Sequence, residues 1–426
     1  MSAEKQDFLQ RSKEFWNPGK TQAWQDMEVD LVIDRREGYY LYDMDGNRYI
    51  DVHLNGGTYN LGHRNPELVE VIRRGMERFD MGNHHFPSLA RTALAEELAK
   101  CTPGDLQYTI YASGGGEAID IAIKTARSAM QKRKIVSLVK AYHGHTGLAV
   151  KTGDARFSVP FLSQDIEHEF IQVPFNDLNA MEDALRKRDV AAVLLETIPA
   201  TYGFPMPHVG YLPGVKALCE RYDALYIADE VQTGLMRTGA MWGITRYGVE
   251  PDILVTGKGI SGGMYPIACT VVSPRCAGWL TKDGFGHMST MGGAELGCLV
   301  ALKVLEICQR PEVASIVHYT ASYLRKGLDE IRAMYPDFFT GIRQHGVIMG
   351  LEFTPPEGAK IAMKHLYRNG IWAIFSTLDP KVLQFKPGIL ATEFLAEEIL
   401  SRAEVAIGAA AAEALGHDGG GRRVAA

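Results

Sequence analysis

The sequence lacks the features that would commit it to several large classes of protein. Its six cysteines (Cys101, Cys219, Cys269, Cys276, Cys298 and Cys308) are scattered and never form a CxxC pair. That spacing speaks against a zinc cluster and favours reduced thiols over a disulfide framework. No apolar run approaches the ~20 residues needed to cross a bilayer. The N-terminus, MSAEKQDFLQRSKEFW, is charged and has no uninterrupted apolar core, so a signal peptide is not expected and the cytoplasm is the expected location. There is no basic tract and the net charge is −6, which argues against nucleic acid or an anionic membrane as the main partner. A GxxxxGK[ST] phosphate loop is missing too: Asp252 stands where its first glycine would be, ahead of Gly257-Lys258-Gly259. This excludes the reading of LYIADE as the magnesium-holding strand of a nucleotide hydrolase.

What is present is a long chain of ordinary globular composition. Its 426 residues, 46% hydrophobic, can bury a large core and are expected to form one big domain and a smaller one. A lead-in helix runs to about Lys20, and YYLYDMDGNRYIDV (Tyr39 to Val52) reads as a hairpin turning at Asp45-Gly46-Asn47. Helices are expected over Pro66–Glu77 and Ser88–Lys100. From Tyr108 to about Gly263, apolar strands (Tyr108–Ala112, Lys134–Val139, Ala191–Glu196, Leu225–Ala228, Ile253–Val255) alternate with helices (Glu117–Met130, Leu178–Arg188, Val215–Arg221). That order predicts a mostly parallel sheet wrapped by helices, with its site at the carboxyl ends of the strands. A buried helix over Ala294–Glu306 and a long one over Pro311–Met334 lead into a C-terminal α+β unit. The last stretch, GAAAAEALGHDGGGRRVAA, is of low complexity and is expected to fray.

Two stretches carry the chemistry. LYIADEVQTGLMRTG and ILVTGKGISGGMYP are apolar runs that each end in a charge and a glycine-containing turn, delivering Asp229 and Lys258 to one sheet edge. Alone, Lys258 would read as a solvated loop lysine and Asp229 as an acid at a strand end. Together they supply what a pyridine cofactor bearing an aldehyde needs: an amine for the Schiff base and a carboxylate to keep the ring nitrogen protonated. Ser113-Gly114-Gly115-Gly116 joins a strand to a helix. It would cradle a phosphate or serve simply as a tight turn. Tyr142 and His143, just past a strand, would lie against a cofactor ring or pack the rim. Glu196 ends AAVLLE and would need a partner if buried. His143 and His145, or His84 and His85, could ligate a metal, but no further ligand at suitable spacing completes such a site, and none is expected.

With those residues in view, the chain resembles the class III aminotransferases (ω-amino acid and ornithine type), which are fold-type I pyridoxal phosphate enzymes. The resemblance runs from GYYLYDMDGNRYIDV through NLGHRNPEL, SGGGEA, YHGHT, LYIADEVQTGLMRTG, PDILVTGKGISGGMYP and STMGGAELG to GVIMGLEF. It implies an α/β fold: a large domain with a mostly parallel central sheet flanked by helices, and a smaller α+β domain built from both chain ends. The boundaries would be 1–58 and 312–426 around 59–311, with the tail disordered from about 416. It also implies roles. Lys258 would carry the cofactor and shuttle the proton, and Asp229 would pair with the pyridinium nitrogen. Val231 and Tyr142 would sandwich the ring, with His143 beside it, and Gln232 would bond the phenolic oxygen. Gly114, Gly115 and Gly116 would hold the phosphate. Glu196 would be an active-site acid, and Thr290, in STMGG, would reach the partner's phosphate in a homodimer.

The implied reaction moves an amino group from a small amine or amino acid to a 2-oxo acid, by ping-pong half-reactions. An aminomutase or epimerase on the same cofactor is the alternative, and a non-catalytic protein retaining the fold is a third. The departures are informative. Ser113-Gly114-Gly115-Gly116 replaces the family's Asn-Ser-Gly-Thr, and Gln384, in VLQFKPGIL, stands where members that grip an α-carboxylate carry an arginine. Glutamine keeps neither the charge nor the bidentate geometry of that clamp. The expected donor is therefore an amine, an ω- or β-amino acid, or an α-amino acid held by another cation such as Lys386 or Arg237.

Overall fold

A computed structural model describes residues 1–82 and 85–416; His84 and the low-complexity end beyond 416 lie outside it. The centre is a seven-stranded sheet. In spatial order its strands are Tyr108–Ala112, Ala268–Val272, Ile253–Thr256, Leu225–Asp229, Val190–Glu196, Lys134–Leu138 and Phe170–Val173. Ala268–Val272 runs antiparallel to both neighbours, and the others are parallel to one another. The continuous apolar runs follow from having both faces covered. Along one strand, Leu225 and Ile227 face a core shared with helix Gly115–Met130, while Tyr226 and Ala228 face a core shared with helix Glu295–Cys308. Two of the strands, Phe170–Val173 and Ala268–Val272, were not anticipated from the sequence.

The N-terminal lead-in is two helices, Ala3–Phe15 and Pro18–Asp26, where one was expected. Pro18 cannot continue the first helix, and the Asn17 side chain caps the second by accepting from the Lys20 N–H at 2.9 Å. The hairpin strands Tyr40–Asp43 and Arg48–Asp51 join Ile33–Glu37 and, in parallel, Ile371–Trp372, so both ends of the chain share one sheet. A third sheet contains Phe339–His345, Ile348–Phe353, Asp379–Phe385 and Ile374–Ser376. These two small sheets pack around a second core, to which Tyr39, Ile50, Phe353 and Phe385 contribute. The long helix Pro311–Met334 belongs to both cores. Val313 and Val317 enter the first, and Leu324, Leu328 and Ile331 the second.

Candidate active site

The register of the central sheet brings the charged strand ends together. Glu196 lies opposite Asp229 across the Val190–Glu196 and Leu225–Asp229 pair, Asp229 lies opposite Val255, and Lys258 begins the turn just past that third strand. Lys258 has φ of 46°, a left-handed conformation rare for a side-chain-bearing residue. The three side chains line a cavity of about 350 Å³ together with Tyr142, Val231 and Gln232.

Each acid is held by named partners. Asp229 is 5% exposed. Its Oδ1 accepts from the Val231 N–H at 3.0 Å and its Oδ2 from His143 Nδ1 at 2.7 Å. A carboxylate can only accept, so that ring nitrogen carries the proton. The far nitrogen, His143 Nε2, is buried without a hydrogen-bond partner. Glu196 accepts from the N–H groups of Tyr142 and Ala200 at 3.0 and 3.2 Å. Burial, reinforced by the charge of Asp229, pushes its carboxyl up to about 7, against the opposing pull of His143 and the two N–H groups. Burial lowers the Lys258 amine; Arg237 adds to this, and Asp229 and Glu196 oppose it.

The glycine turn splits in two. Gly115 and Gly116 line the cavity, while Gly114, the cap of helix Gly115–Met130, lines an adjoining cavity that shares Lys258 and Thr58. The helix opens toward the cavity with N–H groups that its first turn cannot satisfy internally. Gly116 has no room for a side chain: a Cβ there would meet Thr146 Oγ1 at 2.8 Å. Ser113 is occupied elsewhere, its N–H and hydroxyl both bonded to Glu117 at 2.8 and 2.7 Å. Tyr142 is braced edge-on by His145 and Phe157, with centroids 5.2 and 5.4 Å away. Thr290 is exposed and lies outside the lining of this cavity.

These residues fit an anionic pyridine aldehyde, with an acid, an amine and a helix N-terminus around one cavity of suitable size. The family model described as "Aminotransferase class-III" matches residues 21–407. The chain belongs to the class III aminotransferases. It is 41% identical over 406 residues to an uncharacterised aminotransferase of Archaeoglobus fulgidus, covering 94% of this chain and 95% of that protein. It is 31% identical over 421 residues to the putrescine aminotransferase of Pectobacterium atrosepticum, covering 95% and 89%. Among solved structures, ornithine aminotransferase of Toxoplasma gondii aligns with a TM-score of 0.84 at 25% identity, covering 90% of this chain and 92% of that one. Like other class III aminotransferases, this transaminase depends on pyridoxal 5′-phosphate.

The sequence reading missed part of the lining of this cavity. Asn55 and Thr58 face the cavity from a segment in which Leu54, Asn55, Gly56 and Gly57 all have positive φ, between 48° and 93°. The Asn-Gly-Gly triplet was the available signal, since only such residues populate that region readily. Ile198 and Thr146 also line the cavity, and nothing in their sequence context marks them. The two cations considered as replacements for the missing clamp do not line it. Arg237 and Lys386 are buried, at 3% and 1% exposed, and lie outside that lining.

Proposed function

We propose that this aminotransferase takes as donor a primary amine or an ω-amino acid whose reacting carbon bears no carboxylate. One observation carries this reading. Among the described residues lining the cavity, Lys258 is the only lysine or arginine, and the acids Asp229 and Glu196 face the same space. A carboxylate on the reacting carbon would find no guanidinium there, whereas a second ammonium on the donor would find Glu196. The 31% identity to a putrescine aminotransferase agrees with that charge pattern. The acceptor is a 2-oxo acid.

Pyridoxal 5′-phosphate supplies the electron sink and the group that carries nitrogen between the half-reactions. The N–H groups of Gly115 and Gly116 would hold its phosphate, with Gly114 shaping the turn. Asp229, oriented by His143 and the Val231 N–H, would hold the proton on the ring nitrogen. Val231 and Tyr142 would bracket the ring and keep water off its faces. Gln232 would donate to the phenolic oxygen. Lys258 Nζ, its protonation disfavoured by burial, would take the proton from the donor's reacting carbon and deliver it to the other end of the transfer.

Thr290 would serve the neighbouring subunit of a homodimer; its exposure, beside Phe285, Met288 and Met291, which are 52–62% exposed, supports a covering partner. A cytoplasmic location belongs to the same reading. So does a small domain formed by 1–58 and 312–426 around 59–311, supported by the sheet that both ends share.

Single-turnover spectra with a panel of donors test the donor assignment. Diamines and ω-amino acids are expected to bleach the cofactor's visible band at least ~10²-fold faster than α-amino acids, a gap in the range an unmatched carboxylate imposes. Glutamate reacting fastest would overturn the reading.

A further inference from the structure

Gln384 stands at the place of the absent clamp, yet its side chain points at another residue of the same strand end. Its Oε1 accepts from Lys386 Nζ at 2.6 Å, and the same nitrogen reaches Gln232 Oε1 at 3.5 Å. Gln384 and Lys386 lie outside the cavity lining. Gln384 is 7% and Lys386 1% exposed, with Lys386 Nζ 5.6 Å from the centre of the Phe204 ring. Only Gln232 reaches the cavity lining.

Neither Lys386 nor Arg237 forms an ion pair with an acid among the described residues. Arg237 donates instead to the carbonyls of Gln232 and Gly56. Asp51, the acid that acts on Lys386, spends its oxygens on His63 Nε2 at 2.9 Å and on the N–H groups of His53 and Leu54. Burial, with Arg237 and Lys258 adding to it, lowers the Lys386 amine well below its ordinary value, and its geometry bears on one amide. A primary amide has an accepting end and a donating end. With Lys386 Nζ on its oxygen, the Gln232 amide is oriented so that its N–H₂ end faces away from the lysine.

We propose that Lys386, tethered by Gln384, is a positioning residue that locks the Gln232 amide with its N–H₂ group turned into the cavity. The substitution at 384 thus serves the cofactor side of the site and not the substrate's carboxylate. This rests on the reading of Gln232 as the partner of the cofactor's phenolic oxygen. The titratable and charged groups facing Lys386 are Arg237, Lys258, Asp51 and the His53 imidazole, which burial disfavours as a cation; those facing Lys258 are Asp229, Glu196 and Arg237.

The test is a pH titration of the visible absorbance band of the holoenzyme without substrate. Losing an N–H donor at the phenolic oxygen favours the protonated form of the chromophore, so the midpoint must rise. Lys386→Met is expected to raise it by about one pH unit, with a melting temperature equal to or above wild type because a buried polar group without an acid partner is replaced by an apolar one. Gln384→Leu, which keeps the lysine but frees it, should shift the midpoint the same way by less, and it provides the measurement should Lys386→Met fail to fold. In a Gln232→Leu background the Lys386→Met shift should shrink by half or more. An unmoved midpoint in the folded variants overturns the proposal, as does a shift undiminished when Gln232 is leucine. A wild-type protein that shows no visible band with the cofactor would instead overturn the underlying reading.

Discussion

Two charged regions meet at Gln232, and they are built on opposite terms. On the sheet edge, Asp229 and Glu196 are held by an imidazole and by backbone N–H groups and open onto the cavity. Outside its lining, Arg237 and Lys386 are held by carbonyl and amide oxygens. The first arrangement keeps charge available to a bound molecule. The second spends charge on fixing the wall, and its field, through Arg237, adds to the burial that disfavours a proton on Lys258. The acidic side is therefore expected to govern reactivity, and the cationic side geometry and stability.

Substitutions on the two sides should separate along that line. Lys258→Ala is expected to lower kcat by at least ~10⁴-fold with little change in melting temperature, because it removes the residue proposed to carry the proton; steady-state rates and a thermal melt check both halves. Asp229→Asn should cost about 10³-fold in kcat and spare the fold, since the amide can still accept from the Val231 N–H. On the other side, Gly57→Ala should act through stability. Its Cβ would sit 1.4 Å from Arg237 Nη1, at a φ of 93°, so a loss of about 3 kcal/mol or more is expected in chemical denaturation. Equal rate losses with an unchanged fold on both sides would erase the distinction.

Glu196 gives a subtler contrast through pH. Its carboxyl is raised from 4.5 to about 7 in the folded protein, so the folded state binds this proton more tightly than the unfolded chain does. The stabilisation from that proton is present below about 4.5 and is lost as pH rises toward about 7. Glu196→Gln, which has no proton to lose, should therefore gain about 1–2 kcal/mol on wild type between pH 5 and pH 8 in cofactor-free protein. Parallel stability curves for the two proteins would contradict the assignment.

Much of the acidic side was legible in the sequence, because apolar runs that stop at Asp229, Glu196 and just before Lys258 mark buried strands ending in charge. The cationic side was not. Gln384 was notable only as an exchange for arginine, and its bond to Lys386 and their joint bearing on Gln232 depend on how the C-terminal sheet packs against the turn after Asp229. The strand Ala268–Val272 escaped notice for a related reason: it is antiparallel in a sheet whose alternation of strands and helices predicts parallel neighbours. Asn55 and Thr58 reach the cavity through a run of left-handed backbone, which sequence spacing encodes only as a loop.

The central claim is that Lys258 and Asp229 address opposite ends of one pyridine ring. Its most direct test is to trap the cofactor on the protein with borohydride, digest, and locate the reduced adduct by mass spectrometry. The adduct is expected on the peptide containing Lys258 in wild type and in Asp229→Asn, and to be absent from Lys258→Ala. An adduct on Lys386 or any other lysine in the wild-type protein, or none at all, would contradict the account.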